Sequence, residues 1–377
     1  MPLTNCCLLV TGAEGFIGKN LRIRLDELQD VTVRSFLRGD DVTSLPSLLG
    51  QVDAVIHLAG ENRPEDVSMF EEVNSKLTSS LCDAIRLELL DTGRKVPMVI
   101  TSSTQAEQDN PYGRSKLAAE AAVRRLAEET SNPCVILRLP GVFGKWCKPN
   151  YNSVVATFCN NIARGLSTNV DNPTSPLRLV HVDDVVSSIL AAVEDAKEGV
   201  SNLRVEPEYE TTVGDLHTHI QSFDNCRSKL FVDRVGEGFV RALYSTYISY
   251  LPNEEFGYEV PKYVDPRGVF VEMLKTPDCG QFSYFTAHPG VTRGGHYHHT
   301  KTEKFLVIKG RAHFRFRNLL TEELVELQTE GCHPQVVDTV PGWTHDITNV
   351  GDEEMVVMLW ANENFDRDKP DTIAGEI

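Results

Sequence analysis

Cys6-Cys7-Leu8-Leu9-Val10-Thr11 runs directly into Gly12-Ala13-Glu14-Gly15-Phe16-Ile17-Gly18, and the chain continues as a helical stretch from Lys19 to Leu28. Glycines at this spacing let a backbone turn sharply off a strand, approach a pyrophosphate closely and pack a helix against that strand. The helix start then offers free amides and a positive dipole end to an anion. A dinucleotide site built on Gly12, Gly15, Phe16, Ile17 and Gly18 is therefore expected in preference to a plain tight turn. Outward from this turn, up to about Leu203, short apolar runs alternate with helical stretches, the pattern of a mostly parallel sheet covered by helices. Thr32 to Leu37, Ala54 to Ala59, Met98 to Ser102 and Cys134 to Leu139 read as further strands, and Ser115 to Glu129 as a helix with an Ala- and Leu-rich face. The expected first fold is an α/β doubly wound unit.

The 377 residues exceed one ordinary domain, and a 41% hydrophobic content can fill two cores. No window approaches the ~18 consecutive apolar residues of a membrane helix. The start lacks a basic segment followed by an apolar run and a cleavage site, so a cytoplasmic protein is expected. Nine cysteines without paired spacing suit free thiols in a reducing compartment. A formal charge of −17 argues against nucleic acid or an anionic membrane as partner, although a nucleotide needs only local cations and oriented amides.

The second strand ends at Phe36-Leu37-Arg38 without an acid to take an adenosine ribose hydroxyl. Arg38 could instead pair with a 2′-phosphate, which favours NADPH over NADH; a solvated Arg38, with Asp40 and Asp41 close behind, is the alternative. His57-Leu58-Ala59-Gly60 would bring backbone against the cofactor, and Asn74 opens a helical stretch that braces it. Tyr112 and Lys116, four apart at a helix start, project from one face, with the hydroxyls of Thr101-Ser102-Ser103-Thr104 on the strand before them. An ammonium beside a phenol favours its anion and suits it to proton transfer. With the glycine turn these features resemble the extended short-chain dehydrogenase/reductase family, Rossmann-type enzymes, over roughly residues 1 to 240. The resemblance implies Tyr112 as general acid or base, Lys116 as its tuner and ribose ligand, and Thr104 as the hydroxyl on the substrate oxygen, with Ser103 competing for that role. Members acting on nucleotide sugars are similar at Arg138-Leu139-Pro140-Gly141-Val142-Phe143-Gly144 and His181-Val182-Asp183-Asp184-Val185. Between these, Lys145, Lys148 and Asn152 lie in a loop of cations, amides and aromatics suited to a sugar diphosphate. Asn62 and Arg63 join them as candidate substrate contacts.

Residues 205 to 240 are expected to finish the first domain with one or two helices, giving a first domain of 1–243, a Tyr- and Pro-punctuated connection of 244–261 and a second domain of 262–377. In the second domain β-rich runs recur at Val269 to Met273, Gln281 to Ala287, Lys304 to Ile308, Ala312 to Arg317, Val336 to Val340 and Glu354 to Ala361. Gly290, His296, His298, Glu303 and Gly310 form one spaced motif, answered by Gly342, His345 and Asn349. His296, His298, Glu303 and His345 make a mixed nitrogen and oxygen shell for a divalent metal. Zn²⁺ suits it best, and Fe²⁺, Mn²⁺ and Ni²⁺ accept similar shells. His299 could replace one ligand or act as a base, and Lys304 is a candidate to stabilise a substrate oxygen. The spacing resembles the cupin family, so a C-terminal all-β cupin barrel is expected, although Pro341 before Gly342 and the lack of glycine at 335 depart from the second motif. Asp265-Pro266-Arg267-Gly268-Val269-Phe270-Val271-Glu272 is similar to the opening of the 4-keto-sugar 3,5-epimerases.

Taken in order, with Gln105 to Gly113, Phe143 to Ser153 and His298 to Phe305, the two halves resemble the bifunctional capsular-polysaccharide enzymes of UDP-N-acetyl-L-fucosamine synthesis. That implies C3 epimerisation of a UDP-4-keto-6-deoxy-N-acetylhexosamine by the cupin, reduction at C4 with NADPH, and a homodimer. A cofactor sensor with a dimerising cupin, and an NAD-dependent 4-epimerase or dehydratase, are the alternatives. The Thr104, Tyr112 and Lys116 set argues against the sensor, and Gln105 and Ala106 in place of an acidic pair argue against dehydration.

Overall fold

The computed structural model describes residues 3–28, 30–265, 268–271, 274, 281–363 and 368–377, with backbone alone for 262–265, 268–271 and 281–283. Pro266, Arg267 and Glu272 of the epimerase-like opening, and Met273 of the expected strand, lie outside the described residues. The chain divides into two compact units, residues 1–153 with 177–210 and residues 154–176 with 211–377.

The sequence up to the second unit's barrel folds as β1 (Cys6–Thr11), α1 (Phe16–Asp26), β2 (Val31–Phe36), α2 (Leu45–Leu49), β3 (Ala54–His57), α3 (Leu77–Thr92), β4 (Met98–Ser103), α4 (Pro111–Thr130), β5 (Cys134–Leu139), β6 (Gly141–Phe143), α5 (Val154–Ile162), β7 (Pro176–His181), α6 (Val182–Glu194), β8 (Val200–Leu203), β9 (Glu208–Thr212), α7 (Val213–Lys229) and α8 (Gly238–Ile248). Six parallel strands in the order β2-β1-β3-β4-β5-β8 form the Rossmann-type sheet of the first unit. Its central strands are apolar on both faces because both faces are covered. Leu8, Val10, Ile56, Val99 and Val135 pack on Leu21, Leu25 and Ile189 of α1 and α6. The alternate residues Leu9, Val55, Met98, Ile100 and Ile136 pack on Leu81, Ile85, Val123 and Leu126 of α3 and α4. The winding reverses between β2 and β3 on either side of β1, which opens a crevice at the carboxyl ends of these strands.

Helix α4 starts four residues before the expected Ser115, because Asn110 caps it by accepting from the Gly113 amide at 2.7 Å and Pro111 suits the first turn. Tyr112 and Lys116 consequently sit in its opening turns. Within the second unit, α7 lies in the expected 205–240 region and α8 begins at its end. Tyr244 and Tyr247 of α8 are buried, with rings 5.1 and 6.0 Å from Phe223 of α7. Residues 244–261, expected as a connection, thus include the end of α8 and β10 (Gly257–Glu259).

The remaining strands are β11 (Lys262–Asp265), β12 (Gly268–Val271), β13 (Gln281–Ala287), β14 (Thr292–Tyr297), β15 (Glu303–Lys309), β16 (Arg311–Asn318), β17 (Leu324–Glu330), β18 (Gln335–Asp338), β19 (Trp343–Asn349), β20 (Met355–Ala361) and β21 (Ile373–Ala374). Two five-stranded antiparallel sheets, β10-β18-β15-β20-β13 and β17-β16-β19-β14-β21, make the all-β architecture. Strand β16 shows why: Ala312, Phe314 and Phe316 face in while His313, Arg315 and Arg317 face out, and Phe314 meets Phe305 of β15 at 5.8 Å. Strands β11, β14, β17, β19 and β21 have no counterpart among the expected runs. Gly290, Gly310 and Gly342 all take positive φ, 77°, 83° and 82°. Asn349 donates to the Ala287 and Glu353 carbonyls at 2.9 and 2.8 Å, closing the turn after β19.

Candidate functional site

In the first unit the glycine turn forms a cradle at the carboxyl end of β1. A Cβ on Gly12 would lie 2.6 Å from the Ala59 nitrogen, so β3's exit and the turn are in backbone contact there. Gly15 caps α1 with no side-chain hydrogen bond and no acid follows in the first turn, which leaves amides free for phosphate oxygens. His57 is buried between the Thr11 and Thr78 hydroxyls at 2.6 and 2.8 Å. Burial, aided by Lys116, holds its ring down to about 3, so it is neutral and buttresses Leu58, Ala59 and Gly60. These residues fit a dinucleotide through backbone shape and a helix start.

Lys116 is buried, donates to the Thr101 carbonyl at 3.2 Å, and would meet a Cβ on Gly60 at 3.0 Å. Burial lowers its ammonium to about 8, partly countered by Glu120 one turn on. Glu120, itself buried, accepts from Ser102 Oγ at 2.6 Å and takes the Arg138 guanidinium in two bonds of 2.8 Å. Burial opposes the Glu120 charge, but Arg138 and Ser102 outweigh it and keep its carboxyl below the ordinary range. Tyr112, with Phe70 5.7 Å from its ring, is raised by burial and partly lowered again by a hydrogen bond with Ser103. Of the two candidate hydroxyls, Ser103 is the last residue of β4 and lowers the phenol, whereas Thr104 begins a 3-10 turn.

One residue here differs from expectation. Lys145 turns inward, 3% exposed, and pairs with Asp183 Oδ1 at 2.7 Å, so its charge is held within the fold and not offered to a diphosphate. Arg38 is exposed but bonded to Glu61 Oε2 at 2.7 Å. Lys148, Asn152, Asn62 and Arg63 are exposed. Lys148 lies 5.1 Å over the Tyr151 ring, and Arg63 donates to the Tyr151 carbonyl, which ties the loop after β3 to the loop after β6.

In the second unit one ligand atom each of His296, His298, Glu303 and His345 lies within 4.8 Å of the others. Register explains the gathering: β14 pairs with β19 so that His296 faces His345, after a bulge between Gly294 and His296. Gly294 has φ 96°, and a Cβ there would lie 3.0 Å from the His345 carbonyl. His298 Nδ1 donates to the Asp371 carbonyl, which leaves Nε2 as the lone-pair nitrogen, 3.2 Å from Glu303 Oε2. His345 Nε2 is buried, has no hydrogen-bond partner, and lies 3.7 Å from the same oxygen. Three imidazoles converging on one buried carboxylate, with His345 Nε2 left without a hydrogen-bond partner, fit a divalent cation. Burial, with His345 and His298 alongside, lowers His296 to about 4, the neutral form a metal takes. The rings of Phe305 and Phe316, 6.3 and 6.2 Å from His345, line the cluster with apolar surface.

Asp371 was not singled out from the sequence as a site residue, yet it holds this loop. Its carboxylate accepts from the amides of His299, Thr300 and Lys301 at 2.8, 2.7 and 2.7 Å. Burial opposes its charge, but His299 and these amides outweigh it and hold the group down to about 2. The His299 ring packs edge-on against Tyr297 at 5.8 Å and is not among the four donors. Lys304 does not face the four candidate donors. Strand alternation turns it to the opposite face of β15 from Glu303, where it is fully buried against Asp338 at 2.5 Å and Tyr258 at 3.4 Å. Burial works against its charge, but Asp338, Tyr244 and Tyr258 keep it an ammonium.

Among the described residues no helix is long and apolar enough to cross a membrane, and the cysteines are free thiols. Residues 8–206 match the NAD dependent epimerase/dehydratase family, and residues 263–373 match the polysaccharide biosynthesis C-terminal domain. The chain is 54% identical over 367 residues to the UDP-2-acetamido-2,6-beta-L-arabino-hexul-4-ose reductase of Pseudomonas aeruginosa, covering 97% of this chain and 98% of that one. It is similar to the crystal structure of the capsular polysaccharide assembling protein CapF from Staphylococcus aureus, at 41% identity and a TM-score of 0.66, over 98% of this chain and 100% of that one. A structure of WbmF from Bordetella bronchiseptica with NAD+ and UDP shares the fold alone, at 22% identity and a TM-score of 0.52 over 59% of this chain and 78% of that one. The chain thus belongs to the NAD dependent epimerase/dehydratase family, which implies a nicotinamide cofactor for its Rossmann-type unit.

Proposed function

We propose that this protein is a bifunctional nucleotide-sugar enzyme. Its cupin epimerises a UDP-4-keto-6-deoxy-N-acetylhexosamine at C3 and its reductase domain, residues 1–243, reduces the C4 ketone with NADPH, giving a UDP-2-acetamido-2,6-dideoxy-L-talose for polysaccharide synthesis. The observation that carries the reading is the near full-length 54% identity to a reductase of UDP-2-acetamido-2,6-beta-L-arabino-hexul-4-ose. The bound dinucleotide would supply hydride, and a bound metal, Zn²⁺ by preference, would supply positive charge for the ketone oxygen.

The chain's own residues do the rest. The Tyr112 phenol donates its proton to the C4 oxygen as that oxygen gains charge, and Ser103 holds the same oxygen through its hydroxyl. Lys116 holds ribose hydroxyls and, as an ammonium, favours the phenolate left behind; Glu120 and Arg138 keep Lys116 in place from behind. Gly12, Gly15, Phe16, Ile17, Gly18 and Leu58 to Gly60 form the dinucleotide cradle, with Arg38 at the 2′-phosphate. Lys148, Asn152, Asn62 and Arg63 are proposed for the UDP-sugar. In the cupin, His296, His298, Glu303 and His345 hold the metal, and His299, beside the Asp371 carboxylate, takes the C3 proton. A cytoplasmic homodimer completes the reading.

Candidate UDP-4-keto sugars supplied with NADPH in deuterated water test it. Loss of the nicotinamide absorbance band together with deuterium at C3 is expected. Oxidation of NADPH without C3 labelling would reduce the protein to a plain reductase, and turnover with NAD⁺ alone would favour a 4-epimerase.

A further inference from the structure

The Arg38 and Glu61 pair is lopsided. Arg38's side chain is 80% exposed, whereas Glu61's is 13% exposed. The acid is also held from two sides. Asn74, itself buried in a π-helical segment, Phe70–Lys76, accepts from the Glu61 amide at 2.7 Å and donates to the Glu61 carbonyl at 2.9 Å and to Ser115 Oγ at 3.0 Å. Glu61's second carboxylate oxygen accepts from the Tyr151 hydroxyl at 3.1 Å. A π-helical turn is rare and clusters at functional sites; here it fixes Asn74, and Asn74 fixes the backbone that carries the carboxylate. In this pair the cation can leave and the acid cannot.

We infer that Glu61 is a specificity residue that sets how strongly the protein prefers NADPH over NADH. The inference rests on the proposed role of Arg38 at the 2′-phosphate. A phosphate dianion reaching Arg38 must displace or share a guanidinium already held by a fixed carboxylate, and it arrives beside a like charge. NADH brings only a ribose hydroxyl to the same place, which a carboxylate accepts without repulsion. Glu61 therefore opposes one cofactor and tolerates the other, so that NADPH binds and the NADP⁺ left after hydride transfer is released readily. Its bond to Tyr151 places the same carboxylate against the loop proposed to meet the UDP-sugar.

The test is the dissociation constants of NADPH and NADH, measured by nicotinamide fluorescence on the full chain, for wild type, Glu61→Gln, Glu61→Asp and Arg38→Ala. Glutamine keeps the size and the backbone clamp, so the fold is retained; aspartate keeps the charge one methylene further back. Glu61→Gln is expected to raise the NADPH-over-NADH preference by about tenfold, and Glu61→Asp by less. If Arg38→Ala weakens NADPH selectively while Glu61→Gln leaves the preference unchanged or lowers it, the role of Arg38 stands and the inference about Glu61 is overturned. If Arg38→Ala weakens both cofactors alike, the proposed role of Arg38 fails and the inference falls with it.

Discussion

Lys304→Met separates a structural lysine from a catalytic one. Its ammonium, 1% exposed, neutralises Asp338 at 2.5 Å and lies 5.3 Å from the Tyr258 ring centre. Methionine fills the stem's volume but strands a carboxylate that is 2% exposed. Breaking a buried pair by removing one partner costs about 3–5 kcal/mol. Arg227 stands 3.8 Å from Asp338 Oδ2 and can close on it, which places the cost near the lower end, about 3 kcal/mol. For a folding unit of this size each kcal/mol lowers Tm by about 2–4 °C, so a drop of about 6–12 °C is expected. The double variant Lys304→Met/Asp338→Leu removes the stranded charge and should recover most of that loss. The assays are thermal melting and deuterium entry at C3, the latter well below the melt. Because Lys304 faces away from His296, His298, Glu303 and His345, exchange should stay near wild type in folded Lys304→Met. An unchanged Tm, or exchange abolished in a folded variant, would refute the placement.

Tyr112→Phe should lower the NADPH oxidation rate by about 10²–10⁴-fold while NADPH affinity, read by fluorescence, stays within a few fold. Ser103→Ala should cost more than Thr104→Val in the same assay, since Ser103 is the hydroxyl that lowers the phenol; the reverse order would favour Thr104. Lys116 carries its charge below about 8 and loses it as pH rises through that value, so NADPH affinity should fall between pH 7 and 9. Titration of Lys116→Met should show that slope flattened. Asp371→Ala frees three amides and a hydroxyl in the loop carrying His298, and should weaken Zn²⁺ binding by about 10–100-fold, measured by chelator competition.

Patterns within one element were readable from the sequence. Cys6–Thr11 and Cys134–Leu139 emerge as strands because both their faces are covered and the runs are continuously apolar. Strands β14, β17 and β19 were missed because Thr292–Tyr297 carries two glycines and exposed residues, Leu324–Glu330 is mostly exposed, and Trp343–Asn349 alternates polar side chains that are buried by their partners. The four candidate metal donors could be picked out by type and spacing, yet the bulge at Gly294 that brings His296 opposite His345 depends on a strand some fifty residues later. Alternation alone could have turned Lys304 away from Glu303. Lys145, Glu61 and Asp371 could not be placed, since their decisive partners Asp183, Asn74 and the amides of His299 to Lys301 are chosen by the tertiary fold.

The division of labour between cupin and reductase is tested most directly by His345→Ala, with metal content, thermal melting, deuterium entry at C3 and NADPH oxidation followed on one preparation. The folded variant should lose metal and stop incorporating deuterium into the 4-keto sugar, yet still oxidise NADPH at the wild-type rate when given a ketone already epimerised at C3. Persistent deuterium exchange in a folded, metal-free variant would contradict a catalytic metal, and loss of NADPH oxidation with the epimerised ketone would contradict two separate sites.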